Sequence, residues 1–218
     1  MDYGKFAVIP THNRPEQLWA CVNLVAPQVD EIIVIDNASA PPMTSGDDRV
    51  NLFYDPEQPP NLSRLWNLGL GMAATFAKDD GLDEWYVAIL NDDALPPSGW
   101  MNNVVQAMQR TGAVAGCSHP FGGQEQLLGA GVGPSVGTRL TGWAFVLRQP
   151  GLALDEQFGW WAGDDDLSMR ARQGGGLVYA AGFPVPNTLA NSSTNGVLAE
   201  QAARDMQAFV DKWGQRPW

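Results

Sequence analysis

The run Glu31-Ile-Ile-Val-Ile-Asp36 constrains this chain more than any other segment. It is too continuous to alternate between a wet face and a dry one. Such a strand must be covered on both faces, which suits a parallel sheet layered between helices. Phe6-Ala-Val-Ile-Pro10 and Glu84 to Leu90 read as further buried strands, and Val50-Asn-Leu-Phe-Tyr54 as another. Helical stretches lie between them. Leu18, Val22 and Val25 share one face of a helix that Asn13 is expected to cap, with Pro15 in its first turn. Leu62, Leu65, Trp66, Gly69, Met72, Ala73 and Phe76 line one side of a helix from about Ser63 to Phe76. Pro96-Pro97 opens the next, with Trp100, Val104 and Met108 inward, and Ala113 to Ser118 is a strand. This alternation predicts an α/β fold: a doubly wound, mostly parallel sheet with flanking helices.

The second half changes character. Gly122 to Thr141 is glycine-rich without a helical period, and reads as a loop or hairpin excursion. Gly142 to Arg148 is a strand. A helix starts within Asp164-Asp165-Asp166 and ends at Gly174. A long amphipathic helix closes the chain, with Leu198, Ala202, Met206, Phe209 and Trp213 on one face. With no internal repeat and no linker, residues 1–218 read as one domain with halves of about 1–120 and 121–218.

Composition excludes several classes. Lys and Arg number 13 against 24 Asp and Glu, a formal charge of −11. That balance argues against general nucleic-acid binding. It leaves room for phosphate-bearing ligands, because a metal ion or a few local donors reverse the field in a cleft. The two cysteines, Cys21 and Cys117, are far apart, so neither a thiolate zinc site nor a disulfide framework is expected. The first residues lack a signal-peptide layout, and no apolar run is long enough to span a bilayer. A cytoplasmic protein is the expectation.

In a parallel α/β sheet, ligands bind beyond the carboxyl ends of the strands. Three polar segments stand there: Pro10-Thr11-His12-Asn13, Asp36-Asn37-Ala38-Ser39 and Asn91-Asp92-Asp93. A carboxylate pair past a buried strand suits Mg2+ or Mn2+, which take one or two carboxylates and complete their shell with water and phosphate. The bland alternative is a solvated turn before Pro96. Asp36 suits a nucleoside base or ribose, and equally an Asx-type turn. Thr11 and His12 suit the same nucleoside, or His12 is an exposed loop histidine. Asn61, Arg64 and Asn67 flank a helix start, where Arg64 could reach a phosphate; otherwise Asn61 is a cap and Arg64 a solvated first-turn residue.

Asp164-Asp165-Asp166 places three adjacent carboxylates at a helix start, where the dipole favours them. Successive helical residues diverge by about 100°, so at most two can face a cleft. One that does could deprotonate an acceptor hydroxyl. Trp160-Trp161 before it could floor a sugar site or simply pack. Gly129-Ala-Gly131-Val-Gly133-Pro134 lacks dinucleotide-loop spacing. His119 and Cys117, two residues apart after a strand, lack a third group to orient a base.

Together these segments resemble glycosyltransferase family 2, the inverting nucleotide-sugar enzymes of GT-A fold. The resemblance rests on Val8-Ile-Pro-Thr-His-Asn-Arg14, Ile32 to Ser39, Asn61 to Leu70, Leu90-Asn-Asp-Asp-Ala-Leu-Pro96, Gly142 to Arg148 and Phe158 to Arg172, in the family's order. It implies a nucleotide-sugar-binding first half and an acceptor-binding second half around a small hairpin or loop region. Pro10, Thr11, Asn13, Asp36, Asn61, Arg64, Asn67 and Asp92 would bind the donor, and Asp93 would hold Mn2+ or Mg2+. Trp143, Trp160 and Trp161 would face the acceptor. Asp164 would be the catalytic base, with Asp165 as runner-up, because Gly163 stands where the family commonly has Glu. Its late histidine is absent; Asn187, Asn191 or Ser192 stands in, or the metal is held more weakly. The implied activity is metal-dependent, inverting transfer of a hexosyl or deoxyhexosyl group to a hydroxyl of a glycan, lipid-linked glycan, protein or small molecule. The rivals are a non-catalytic nucleotide- or sugar-binding relative and a metal-dependent phosphohydrolase.

Overall fold

The computed structural model describes residues 3–130, 138–188 and 195–217. Among them, one sheet is built from β1 (Gly4–Thr11), β2 (Glu31–Asn37), β3 (Val50–Asp55), β4 (Trp85–Leu90), β5 (Ala115–Ser118), β6 (Gln126–Leu128), β7 (Ala144–Gln149) and β8 (Leu177–Ala180). Its order is β3-β2-β1-β4-β7-β5-β8-β6. The helices are α1 (Pro15–Val25), α2 (Leu62–Asp79), α3 (Trp100–Thr111), α4 (Gly163–Gln173) and α5 (Gly196–Trp213). This is the expected α/β class, with a mostly parallel sheet and helices on both faces.

Covering both faces explains the unbroken apolar strands. Within β1 and β2, Ala7, Ile9, Ile32 and Val34 enter the layer shared with α1 and α3. Their neighbours Phe6, Val8, Ile33 and Ile35 enter the layer shared with α2. A side-chain period of two sends alternate residues to opposite cores, so both phases must be apolar. Gly69 lets α2 approach β1 closely, since a methyl there would collide with Val8.

Polarity across the sheet builds the functional edge. β3, β2, β1 and β4 run parallel. β7 runs against both β4 and β5, and β5 runs parallel to β8. The start of β7 therefore meets the carboxyl end of β4, pairing Ala144 with Leu90. The Asn91 amide donates to the Trp143 carbonyl at 2.9 Å. The ends of β1, β2, β4, β5 and β8 and the beginning of β7 thus share one edge.

Some local readings differ. Arg14, not Asn13, occupies the cap position of α1, with no side-chain cap. Asn13 takes a left-handed φ of 54° and its Oδ1 accepts from Ala40 N. α3 begins at Trp100 rather than at Pro96-Pro97, after Gly99 at φ 84°. The glycine-rich excursion carries strand β6, paired antiparallel with β8; residues 131–137 lie outside the described set. β8 has no counterpart among the expected strands: four buried residues after Gly176 are too few to show a period. α5 packs away from the sheet, its Phe209 against Phe158 and Ala162.

Candidate active site

A cleft of about 580 Å³ opens at this edge. One wall comes from the strand ends: Pro10, Thr11, His12, Arg14, Asn37 and Asn91-Asp92-Asp93. A second wall carries Trp160, Trp161, Asp164 and Asp165, and Trp143, whose carbonyl accepts from the Asn91 amide, joins the two. The polar ends of β1, β2 and β4 are thus brought together with the amino terminus of α4.

On the first wall, Asp92 is buried. It accepts from the Thr11 hydroxyl at 2.9 Å and from Arg14 at 3.3 Å. Burial pushes its carboxyl up, against the pull of Arg14 and Thr11, and neighbouring Asp93 adds to the rise. Asp93 is also buried, at 4% exposure, and lines the cleft. The chain returns beside it: Leu95 N donates to Pro186 O at 2.8 Å, Thr188 N donates to Asp93 O, and Asn187 bridges Ala94. Asn187 therefore stands next to the β4 carboxylates and lines the cleft. Asn191 and Ser192 lie outside the described residues. Beneath this wall the Cys21 thiol donates to the Asn91 carbonyl. Burial, then the charges of Asp92 and Asp93, push its pKa far up, so it is an inert thiol.

His12 donates through Nδ1 to the Asn37 carbonyl at 2.6 Å, which leaves Nε2 to accept from the Asn13 amide. Asn37 is braced in turn: its amide donates to Asp55 and Glu57, and its Oδ1 accepts from Gln58. Sequence reasoning gave no role to Arg14, and placed Asn37 at this edge only as part of the polar end of β2. Each sits inside a quoted motif, next to a more familiar site residue type.

Five residues expected to bind donor lie outside the cleft walls. Asp36 is fully buried, and its oxygens accept from the Ser39 and Met43 amides. That is the turn role weighed against ribose binding. Asn13 braces Ala40. Asn61 caps α2, accepting from Arg64 N at 3.0 Å. Arg64 pairs with Asp55 at 2.7 Å and with Glu57. Asn67 exchanges hydrogen bonds with the backbone of Leu154. These side chains fix loops behind the cleft.

The second wall separates the three aspartates by direction. Asp166 turns away, accepting from Arg170, Lys212 and Trp213 Nε1 at 2.7–3.0 Å. Asp164 and Asp165 face the cleft. The Asp164 carboxylate lies over Gly142, where a methyl would collide with it. Arg139 reaches Asp165 at 3.4 Å. Burial raises the Asp164 carboxyl, opposed by Arg139 and by backbone N–H groups. Burial and the charge of Asp164 push Asp165 up to about 8, against Arg139. Two carboxyls this close cannot both ionise readily. Trp143 donates from its indole to the Val185 carbonyl at 2.7 Å, fixing that ring at the cleft.

Among the described residues, no three His, Cys, Asp or Glu side chains converge as a metal-binding group. Asp93 with Asn187 beside it still fits a hard cation that takes one carboxylate and completes its shell with water and phosphate. It does not amount to a closed protein cage. His119 lies away from the cleft lining, packed edge-on against Tyr179.

Residues 6–131 match the family model described as Glycosyl transferase family 2. Among solved structures, TarS 1–349 of S. aureus aligns with TM-score 0.51 and 10% identity over 82% of this chain. A second TarS structure gives 0.48 and 12% over the same share, covering 37% of that chain. This chain spans 60% of the first TarS chain. No curated protein sequence matches it.

Proposed function

The chain belongs to glycosyl transferase family 2, and from that premise we propose that its cleft moves a sugar from a nucleoside-diphosphate donor to an acceptor hydroxyl with inversion. The observation that carries this is the pairing of two walls. Asp92-Asp93 close the strand-end wall, and Asp164-Asp165 open from the other onto the same space.

In this reading the nucleoside lies along Pro10, Thr11, His12 and Asn37. Arg14 offers a guanidinium to the diphosphate, and Asp92 orients Arg14 and Thr11. Asp93 would hold Mn2+ or Mg2+, with Asn187 alongside; when bound, the ion neutralises charge on the leaving diphosphate. Trp143, Trp160 and Trp161 give flat apolar surface to the acceptor. Asp164 takes the proton of the acceptor hydroxyl as its oxygen attacks the anomeric carbon. The bond from that carbon to the diphosphate oxygen breaks on the opposite face. Burial raises both carboxyls of the Asp164–Asp165 pair, and Arg139 opposes the rise. Loss of a proton from this pair leaves the carboxylate that base catalysis needs.

The test is nucleoside-diphosphate release from UDP-, GDP- and dTDP-sugars with Mn2+, with and without glycoside acceptors. Acceptor-stimulated release supports transfer. Tight nucleotide binding without release indicates a binding protein. Phosphate release from simple esters indicates a phosphohydrolase.

A further inference from the structure

We infer that Asp205, on α5, is a positioning residue for the acceptor wall, an inference that rests on the transferase reading. Its carboxylate is 1% exposed. Oδ2 accepts from two successive backbone amides, Trp160 N at 2.7 Å and Trp161 N at 2.8 Å. Oδ1 accepts from Gln201 Nε2 at 2.6 Å. A buried carboxylate is costly unless its lone pairs are met. Here three N–H donors meet them, and bonds from backbone N–H to a carboxylate are among the stronger ones.

The held segment leads directly into the proposed base. After Trp161 come Ala162, in a left-handed conformation at φ 60°, and Gly163, where a methyl would come within 2.6 Å of Ser63 Oγ. Asp164 follows in the first turn of α4. α2 grips the same segment from the other side, through its carbonyls. Leu62 N donates to Gly159 O at 2.6 Å, and Ser63 Oγ donates to Phe158 O at 2.7 Å. The carbonyls of 158 and 159 are thus held by α2, and the amides of 160 and 161 by Asp205. Rotating the Trp160-Trp161 turn would carry the indoles and Asp164 with it.

Attachment of α5 does not require this carboxylate. Lys212 bridges Asp155 and Asp166, and Trp213 donates to Asp166. Phe209 is buried against Phe158. Asp205 adds a link aimed at one turn.

The experiment compares wild type, Asp205→Ala and Asp205→Asn. Asparagine keeps an oxygen that can accept from both amides; alanine keeps none. Deuterium exchange at amides 158–164 reads the loop with no substrate present. Titration with UDP, GDP and dTDP plus Mn2+ reads the donor wall. Steady-state transfer to p-nitrophenyl glycosides reads the acceptor wall. For Asp205→Ala we expect faster exchange at 158–164 with β1–β4 unchanged, and nucleotide affinity within about twofold of wild type. Its kcat/KM for acceptor should fall by about 10–100-fold, the size of effect that displaced reacting groups give. Asp205→Asn should recover to within about threefold of wild type. Unchanged acceptor kcat/KM in the alanine variant overturns the inference. So does a parallel loss of nucleotide affinity, or an asparagine variant no better than alanine. If wild type neither binds nucleotide nor releases it from donor, the transferase reading falls, and positioning of the turn is decided by exchange alone: unchanged rates at 158–164 overturn it.

Discussion

Chemistry at the residue scale turns on Asp164 and Asp165. Asp164→Asn keeps the shape of the wall and removes the proposed base. Transfer should fall by about 10²–10⁴-fold, the usual contribution of general base catalysis, while nucleotide affinity stays at the wild-type level. An unchanged rate, measured as acceptor-stimulated nucleotide release, removes Asp164 as base. The pair also makes a stability prediction. Asp165 is raised from 3.8 to about 8 by burial and by Asp164, so between those values the folded state holds a proton that the unfolded chain has released. The stabilisation from that proton is complete below the ordinary carboxylate range and is lost as pH rises toward 8. The melting temperature gained by Asp165→Asn should therefore be larger at pH 8 than at pH 5. Parallel profiles for variant and wild type contradict this. Transfer should rise with pH across the same titration, since the base must be ionised.

The elements reveal which parts of the fold the sequence could display. Strands β1, β2 and β4 announce themselves as unbroken apolar runs, and α2 and α5 as long stripes at helical spacing. Four-residue β8 has too few positions for a period. The cap of α1 was misread because Asn13, a strong cap former, is instead needed at φ 54° to brace Ala40. The aspartate triplet identified the start of α4, but not which carboxylate faces the cleft; that depends on partners 47 residues away at Trp213. Asp205 was unreadable for the same reason. One acid on an amphipathic helix looks solvated until the loop it holds is folded against it. Two substitutions test the packing. Gly69→Ala places a methyl against Val8, and should destabilise by about 1–3 kcal/mol by denaturant melting, as overpacking does. No loss would mean that α2 does not sit so close to β1. Asp166→Ala strips Arg170, Lys212 and Trp213 of a shared acceptor. It should cost about 2 kcal/mol, less than a fully buried pair because Arg170 and Lys212 are partly exposed. Nucleotide affinity should not change; a loss there would contradict the separation of α4 and α5 from the donor wall.

For the whole molecule, the match of residues 6–131 to the family covers the strand-end wall and stops short of α4. The strand-end wall was legible in part, because Thr11 and Asp92-Asp93 stand at or just past the ends of unbroken apolar strands. The rest of the lining was less legible, because its side chains come from segments far apart in the chain. The charge of −11 acquires a local meaning here. The described residues lining the cleft include four carboxylates, Asp92, Asp93, Asp164 and Asp165, against two guanidiniums, Arg14 and Arg139. A diphosphate entering that field meets net repulsion unless a cation accompanies it. Calorimetric titration of UDP, GDP and dTDP into wild type and Asp93→Asn, each with and without Mn2+, tests this most directly. The account predicts that at least one nucleotide binds wild type, about tenfold or more tightly with Mn2+, and that Asp93→Asn abolishes the Mn2+ dependence. Absence of binding by every nucleotide with Mn2+ present, or an undiminished Mn2+ effect in Asp93→Asn, would contradict it.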